Sequence, residues 1–485
     1  MSKIIPCDRP PAACDKETWK WDRYFHKVEK GKAKFVSPLA LVNSLVMDYS
    51  VCAQKGVVFE TRNHDFDELK QEQEPRWFAI VENTCGYYIL SRFVNSTDYF
   101  WTHVLSRKVH TMLYAKTRDP KLEKVFYCPP YSLKNEFEAD LDSFVQKTQD
   151  EVIGKMAIKE EFEMDRHKLH RPDFRAGQRV ELLSYANSLE IRVAHIQEVC
   201  GRRLNVTVRK RDYPRDFDEL EDDRQAGHDG AQYWIDQDSF MMFPVGWAAI
   251  NNYQLIANEE YIEHTKKIAE AFDDGTTPRY DINDATPDQF EKPPVDPEKW
   301  DKLNIGQKFE LLDPLSQQFK CLHVASVMSF CKSDGYMIIS MDGPQAAEES
   351  FPIHFHNLCM YPMNYAKKHG IKLAPPDEFV GKFKWDEYLK KQKAVPVPED
   401  VFKPMPSKER MDMIEVGMHL EAADMCENQL ICPATIKSIH GRLINVNFDG
   451  WDSEFDQLYD IDSHDIFPAG WCDFQAYMLQ HPKTD

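Results

Sequence analysis

The feature that most constrains the fold is an internal repeat with a fixed frame. An alternating stretch, a glycine-centred turn and a second alternating stretch recur in Ala79–Phe93, Ala194–Val208, Ala325–Met341 and Ala434–Phe448. Three of these segments have equal length and carry glycine at the same place, and Ala325–Met341 is two residues longer. Alternation around a short glycine turn is typical of a β-hairpin. The sequence therefore predicts four related β units rather than one large core.

Two further elements recur around each predicted hairpin. Ahead of it come a glycine, an apolar residue and a glutamate in register, and the glutamates are Glu60, Glu181, Glu310 and Glu421. After it comes a short aromatic stretch, clearest in FPVGWA (Phe243–Ala248) and FPAGWC (Phe467–Cys472). Tryptophan or tyrosine recurs at one position of this stretch, so we expect that ring to be part of each core.

An arm precedes at least two of the units, because WKWDRYF (Trp19–Phe25) resembles FKWDEYL (Phe383–Leu389). The stretches Asp273–Asp301 and Ala394–Arg410 are rich in proline and acidic residues. Proline opposes regular strand pairing, so these stretches are either flexible linkers or extended arms. Their embedded aromatic residues favour extended arms held on the β units.

Composition limits the partners of the chain. The net charge of −20 over 485 residues argues against a general nucleic-acid binder and suits a basic partner. The twelve cysteines form no CxxC pair, which indicates reduced thiols in a nuclear or cytosolic protein. Apolar runs fall far short of the ~20 residues that span a bilayer, so no membrane role is expected.

The fourth copy carries GMHLEAAD, then ICPATIKSIHGRLINVNFDGWDSEFD, then IFPAGWC. It resembles the malignant brain tumor (MBT) repeat family of chromatin proteins, and the resemblance extends to nearly all of the chain beyond the first eighteen residues. The resemblance implies a mainly β fold of four tandem MBT repeats, each a Tudor-like (SH3-like) β-barrel core with an extended, partly helical N-terminal arm. The expected divisions are a tail at 1–18 and repeats at 19–130, 131–258, 259–378 and 379–485.

The resemblance also implies a pocket for methylated lysine on histone tails. A methylated ammonium keeps its charge, so aromatic faces attract it, and a carboxylate can accept the N–H bonds that mono- and dimethyl-lysine retain. The residues of copy four that match the family pocket are Asp424, Phe448, Trp451 and Phe455, with Glu427 and Asn428 as candidates for the rim.

The other three copies lack part of this set. The corresponding positions are Asn63, Phe93, Ser96 and Phe100 in copy one, Ser184 and Val208 in copy two, and Asp313, Met341 and Pro344 in copy three. By residue type, only copy four can build a full aromatic cage.

The competing interpretation of the three rings is core packing, because spacings of three and seven are also found on one helix face. The segment follows a predicted strand, however, and Asp449-Gly450 favours a turn. Its neighbouring acids would be unfavourable in a core. The repeat frame therefore favours a binding role for the rings.

Two other groupings carry weaker signals. His354, His356 and Cys359 lie close in sequence, but no second Cys/His pair accompanies them, so no metal site is expected. The basic residues Arg202, Arg203 and Arg209–Arg211 are interpreted as a solvated hairpin face paired with the acids at Glu219–Asp223, with contact to DNA phosphates or to an acidic partner as the alternative.

The resemblance therefore implies a non-enzymatic chromatin reader that is expected to bind methylated H3 or H4 tails through copy four and to act in transcriptional repression in the nucleus. No catalytic motif, cofactor site or metal site is apparent. Other chromatin repressor proteins are further candidate partners. The alternative is a protein-interaction scaffold whose pockets are all vestigial, and direct nucleic-acid binding ranks third.

Overall fold

A computed structural model describes residues 3–5, 18–21, 24–25, 34–42, 54–66, 74–117, 125–158, 173–214, 232–290, 294–316, 318–333, 335–376, 379 and 381–483. The strands among these residues form four sheets, one for each predicted repeat. The acids at Glu219–Asp223, expected to pair with a basic hairpin face, lie outside the described residues. The expected solvated face is wrong for Arg203, which is buried and pairs with Asp465, and Arg202 pairs with Asp236 and Asp238.

The four sheets share five strands in the same succession, and repeats 1 to 3 have additional strands. In repeat 1 the strands are β1 (Lys3–Ile5), β2 (Val58–Arg62), β3 (Glu74–Cys85), β4 (Tyr88–Phe93), β5 (Tyr99–His103), β6 (Val109–His110) and β7 (Val125–Tyr127). In repeat 2 they are β8 (Arg179–Leu183), β9 (Glu190–Cys200), β10 (Arg203–Val208), β11 (Gln232–Asp236), β12 (Met242–Phe243) and β13 (Gln254–Ile256).

The other two repeats follow the same plan. In repeat 3 the strands are β14 (Lys308–Leu311), β15 (Cys321–Phe330), β16 (Tyr336–Met341), β17 (Phe351–His354), β18 (Met360–Tyr361) and β19 (Lys372–Ala374). In repeat 4 they are β20 (His419–Ala423), β21 (Ile431–His440), β22 (Leu443–Phe448), β23 (Gln457–Asp460) and β24 (Ile466–Phe467). The spatial order in repeat 4 is β23-β22-β21-β20-β24, and the corresponding five strands of each other repeat have the same order. The additional strand β1 pairs with β5, and β7, β13 and β19 pair with the long strands β3, β9 and β15.

The predicted hairpins are the central strand pairs of these sheets, such as β21 with β22. The turn glycine of repeat 4, Gly441, has φ of 68°, a conformation that residues with a side chain rarely adopt. All four long strands also shift register by one residue part-way along the hairpin. Such a bulge bends and twists a strand, so each sheet curls around its own core.

Most helices are short, and the two longest are Leu141–Val152 and Glu259–Asp273. The α-helices are Tyr114–Thr117, Lys134–Phe137, Leu141–Val152, Trp247–Ile250, Glu259–Asp273, Pro297–Trp300, Tyr365–His369, Trp385–Gln392, Lys408–Met411 and Trp471–Gln475. The 3-10 helices are Pro38–Ala40, His64–Phe66, Tyr131–Leu133, Lys210–Asp212, Pro287–Gln289, Glu399–Val401 and Ser453–Phe455. In the described part of the chain, every helix is too short or too polar to span a membrane.

The recurring glutamate is a buried hydrogen-bond acceptor in each barrel. In repeat 4, Glu421 is fully buried and accepts the backbone N–H groups of Gly470 and Cys472 and the indole N–H of Trp21, at 2.7, 2.8 and 2.9 Å. In repeat 3, Glu310 accepts an indole N–H from Trp385 in the same way. The glutamate therefore ties the barrel to both the aromatic stretch and an arm.

The arms pack on barrels that precede them in the chain. Parallel bridges join Ala157 to Val58 of repeat 1, Asp284 to Arg179 of repeat 2, and Pro396 to Lys308 of repeat 3. Phe290 and Phe402, from the two proline-rich stretches, are buried, which confirms the expectation that these stretches are held on the β units.

The first arm packs on the last barrel. Phe35 forms a parallel bridge with His419 of β20, and Trp21 reaches the buried Glu421 across 400 residues of sequence. The hairpin turn of repeat 1 also contacts repeat 4, because the Tyr87 N–H donates to the Ala469 carbonyl at 2.8 Å. Repeats 2, 3 and 4 surround a cavity of about 350 Å³. Repeat 4 therefore contacts each of the other three repeats.

Candidate functional site

The candidate cage is formed by aromatic side chains, and two of them, Trp451 and Phe455, lie on the loop that joins β22 to β23 in repeat 4. Gly450 has φ of 80°, and the Trp451 N–H donates to the Phe448 carbonyl at 3.0 Å, closing a tight turn at Asp449-Gly450. The 3-10 helix Ser453–Phe455 follows directly. The expected turn is present, and it brings Trp451 and Phe455 to the same side of the loop.

Trp451 and Phe455 are exposed and meet at a steep angle. Their side chains are 37% and 39% exposed, the ring centroids are 5.2 Å apart, and the ring planes cross at 74°. Edge-to-face contact leaves the negative face of one ring open beside the other. The third expected pocket ring, Phe448, differs from the other two, because it is only 3% exposed and packs in the core of repeat 4.

Asp424 lies where β20 ends, on the chain segment that precedes the hairpin. Its Oδ1 accepts the Cys426 N–H at 2.8 Å and the Gln457 side-chain amide at 2.7 Å. In the described residues Oδ2 accepts no hydrogen bond. Gln457 stands two positions after Phe455, so it joins the carboxylate to the loop that carries the rings. One carboxylate oxygen is thus fixed while the other is left for a donor.

The candidate rim residues lie on the segment after Asp424. Glu427 is exposed and accepts the Gln429 side-chain amide at 3.3 Å. Asn428 lines the cavity between repeats 2, 3 and 4, and its carbonyl accepts a hydrogen bond from Arg203. Asn428 therefore contacts repeat 2, and rim positions for both residues stay a prediction.

The acids of the loop divide into two pairs. Asp449 accepts the Thr435 hydroxyl at 2.6 Å, and Asp456 accepts the Asn447 amide at 2.6 Å, so both hold the loop in place. Asp452 and Glu454 are exposed. Exposed carboxylates beside the rings raise the local concentration of cations.

A lysine of the same chain already lies against the rings. The Lys483 ammonium is 4.6 Å from the Trp451 ring centroid and 5.8 Å from that of Phe455. Cations within about 6 Å of an aromatic face are attracted by the ring quadrupole. The two rings are therefore arranged so that one cation can contact both.

The corresponding position of repeat 1 is filled by protein. Phe93 and Phe100 are buried, and the His64 ring packs on them with centroids 5.1 and 4.3 Å away. Asn63 is also buried and donates to the Cys128 carbonyl. Ser96, at the Trp451 position, hydrogen-bonds Asp98 and Ser132. The two rings at the matching positions of repeat 1 are therefore covered by other side chains.

Repeats 2 and 3 lack the rings in other ways. In repeat 2, Ser184 and Val208 are buried, and the segment that follows residue 214 lies outside the described residues. In repeat 3, burial raises the pKa of the Asp313 carboxyl, which accepts the Leu315 N–H at 3.0 Å. Met341 is half-buried against a core that repeats 2 and 3 share.

Two clusters of the described residues have the ligand types that metal ions use. They are Asp236, Asp238 and His464, and His264, Asp281 and Asp284. Arg202 pairs with both carboxylates of the first cluster and Arg179 with both of the second. Each cluster is thus an ion-pair network in which an arginine balances part of the negative charge of the two carboxylates. The sequence neighbours His354, His356 and Cys359 line the cavity between repeats.

Sequence reasoning missed Gln457 and Lys483 as parts of this site. Gln457 follows the aromatic segment directly, and its position two residues after Phe455 was the available signal. Lys483 is separated from the loop by the whole aromatic stretch of repeat 4, so no local pattern marks it.

Known proteins resemble this chain over the same repeats. The family model described as mbt repeat matches residues 178–262, 307–380 and 418–485, which fall in repeats 2, 3 and 4. The chain is 50% identical to Protein lin-61 of Caenorhabditis elegans, over 100% of this chain and 80% of that protein. It is 41% identical to Malignant brain tumor repeat protein 1 of the same organism, over 84% and 76%.

More distant relatives share the architecture. Identity to Polycomb protein Sfmbt of Drosophila melanogaster is 28%, over 88% of this chain and 33% of that protein. The crystal structure of the four MBT repeats of Drosophila melanogaster Sfmbt in complex with the peptide RHR(me)KVLR matches with a TM-score of 0.76 at 23% identity, over 96% of this chain and 99% of that one. The mainly β fold of four MBT repeats is confirmed, and the chain belongs to the family of malignant brain tumor (MBT) repeat proteins.

Proposed function

We propose that this chain is a non-enzymatic chromatin reader in which repeat 4 binds a methylated lysine of a histone tail. Trp451 and Phe455 are the walls of the pocket, Phe448 supports them, and Asp424 accepts the remaining ammonium N–H groups. The observation that carries the proposal is the exposed, steeply crossed pair of rings at the pocket positions of repeat 4, whereas the rings at the matching positions of repeat 1, Phe93 and Phe100, are buried.

The chemistry of the pocket fits a methylated ammonium. Methyl groups make the cation poorly hydrated, so it gains dispersion contact and an attractive quadrupole from two faces, about 0.5–2 kcal/mol each. Asp424 offers Oδ2 as a charged acceptor, while Gln457 holds Oδ1. Charge-assisted hydrogen bonds are stronger than neutral ones. A trimethylated lysine has no N–H to donate, so Asp424 favours the mono- and dimethylated forms.

The structural relative supports the same ligand class. The four MBT repeats of Sfmbt were crystallised with a peptide that carries a methylated lysine among arginine and histidine residues. A net charge of −20 attracts such basic peptides to this chain at a distance. We extend the proposal to H3 or H4 tails as ligands, to a place in nuclear chromatin and transcriptional repression, and to other chromatin repressor proteins as partners.

The proposal is tested by titrating the full chain with one peptide, RHRKVLR, in unmodified, mono-, di- and trimethyl-lysine forms. Methylated forms should bind more tightly than the unmodified form. Trp451→Ala and Phe455→Ala should each weaken methyl-dependent binding by about 5- to 30-fold, the equivalent of one lost cation–π contact of about 1–2 kcal/mol.

The matched control is Phe272→Ala, which removes a ring of similar exposure, 43%, from the arm helix Glu259–Asp273. It should bind like the parent chain. If all methylation states bound equally well and Trp451→Ala changed nothing, repeat 4 would have no methyl-lysine cage. That result would favour the interaction scaffold with vestigial pockets.

A further inference from the structure

The contact between Lys483 and the cage has a structural basis in the segment that leads to it. The Gln480 N–H donates to the Ile431 carbonyl at 2.8 Å, and Leu479 forms a parallel bridge with Ile431 at the start of β21. The Trp19 N–H donates to the Leu479 carbonyl at 3.0 Å. The backbone is therefore fixed on repeat 4 just before the lysine.

Only a short stretch separates this anchor from the rings. Lys483 is three residues beyond Gln480, and three residues span at most about 10 Å. Among ion pairs of the described residues, none includes Lys483, so its contacts at 4.6 and 5.8 Å with the rings of Trp451 and Phe455 have no competing carboxylate partner there.

We propose that Lys483 is an internal ligand of the repeat 4 cage, which an incoming methylated lysine must displace. This inference rests on the proposed function, because it concerns occupancy of the same pocket. An unmethylated ammonium is better hydrated than a methylated one and gains less from the rings. Tethering compensates, because a short linker holds a ligand at an effective concentration on the order of millimolar.

The expected size of the effect follows from competition. When only the fraction of chains with an empty cage can bind, the apparent dissociation constant rises by the inverse of that fraction. A cage occupied by Lys483 for about half to nine-tenths of the time weakens ligand binding roughly 2- to 10-fold. The cage then discriminates against weak cations, since these do not displace the tethered lysine.

The first test measures affinity for the monomethylated RHR(me)KVLR peptide with the full chain. Lys483→Ala should bind it about 2- to 10-fold more tightly than the parent. Lys483→Arg should resemble the parent, because a guanidinium also stacks on aromatic faces. The control Lys437→Ala removes an equal charge from an exposed position on β21 and should have no effect.

Raising the salt concentration distinguishes occupancy of the cage by Lys483 from simple repulsion between the Lys483 charge and the basic peptide. The titrations are repeated in 0.5 M salt, where the Debye length is about 4 Å and repulsion across the surface is largely screened. The ratio between Lys483→Ala and the parent should persist. A ratio that falls to one at high salt, or that Lys437→Ala reproduces, would overturn the proposal.

The second test needs no peptide, so it still decides the matter if the peptide fails to bind and the proposed function is wrong. The rate at which an amine-reactive acylating reagent modifies Lys483 is measured by mass spectrometry in the parent and in Trp451→Ala. Contact with the rings should slow the reaction, so Trp451→Ala should increase the rate several-fold, while the rate at Lys437 stays the same. Equal rates at Lys483 in both proteins would show that the lysine does not occupy the cage.

Discussion

At the scale of single residues, the site depends on how one carboxylate is held. Asp424 is far from the rings in sequence, and Gln457 joins it to the end of their loop by a 2.7 Å hydrogen bond. Gln457 is itself fixed, because its side-chain carbonyl oxygen accepts the Met425 N–H and the Tyr459 hydroxyl. Asp424 therefore has a defined orientation before any ligand arrives.

The variant Asp424→Asn tests the role of that charge. Its amide oxygen can still accept the Gln457 amide, but no negative charge is left for an ammonium N–H. We expect affinity for mono- and dimethyl-lysine peptides to fall by about tenfold, which corresponds to the ~1.5 kcal/mol of a charge-assisted bond. The affinity for trimethyl-lysine peptides should fall less, and calorimetric titration of each peptide measures the difference.

The control for that variant is Asp452→Asn, which removes an exposed carboxylate from the same loop. It changes the local field but no pocket acceptor, so all methylation states should weaken equally and slightly. Equal losses for mono- and trimethyl-lysine in Asp424→Asn would remove Asp424 from the pocket.

At the residue scale, the repeat frame supplies a register, and the resemblance to the MBT family assigns pocket positions within it. Trp451 and Phe455 occupy two of these positions, and both are exposed in the structure. The filling of the repeat 1 pocket by His64 could not be predicted. The filling depends on where the 3-10 helix His64–Phe66 places the His64 ring, and residue spacing in the sequence does not predict that position.

At the scale of elements, the hairpins were predictable and the destinations of the arms were not. Alternation and a glycine turn are local signals, so each hairpin can be identified within about fifteen residues of sequence. An arm contributes one β-bridge and a few buried side chains, as at Pro396 with Lys308. Nothing in its own sequence marks which barrel receives it.

The buried glutamate of each barrel gives an element-scale prediction. Glu421 accepts three N–H groups, and Glu421→Gln would turn an amide N–H toward one of those donors. Leaving a buried donor unsatisfied costs about 1–3 kcal/mol. We expect the free energy of unfolding of repeat 4 to fall by that amount, measured by denaturant titration, while Glu427→Gln at an exposed site has no effect.

The same glutamate predicts a pH dependence. Burial raises the pKa of Glu421 to about 7 from an ordinary value near 4.5, so the folded chain holds an extra proton between those values. Stability therefore decreases as pH rises from about 4.5 to 7, by up to about 1.4 kcal/mol per pH unit for this group. Glu421→Gln should flatten the pH profile of the melting temperature in that window. An unchanged profile would show that Glu421 does not titrate there.

At the scale of the whole molecule, the repeat with the candidate cage contacts each of the other three. The hairpin turn of repeat 1 lies on Ala469, Arg203 of repeat 2 pairs with Asp465, and the Phe319 carbonyl of repeat 3 accepts the Leu458 N–H. Repeat order in the sequence does not predict this arrangement, because the contacts join segments more than a hundred residues apart. Repeats 1 to 3 therefore hold repeat 4 in place.

The first arm extends that support to the cage loop. The Tyr24 hydroxyl and His419 Nε2 are 2.7 Å apart, and the other ring nitrogen of His419 is 3.0 Å from the Thr435 hydroxyl. Thr435 donates to Asp449, the residue that follows Phe448. A polar chain thus runs from the arm to the turn that positions Trp451.

Trp21→Ala tests whether the first arm stabilises the last barrel. Trp21 is buried and donates to Glu421, while Trp385 makes the same bond to Glu310 in repeat 3. Removing either large ring should cost about 3–5 kcal/mol, but in different barrels. In hydrogen exchange, Trp21→Ala should lower protection of β20 and leave β14 protected, and Trp385→Ala should do the reverse. If Trp21→Ala lowered hydrogen-exchange protection only in repeat 1, the first arm would stabilise repeat 1 instead of repeat 4. The candidate cage would then not depend on the first arm.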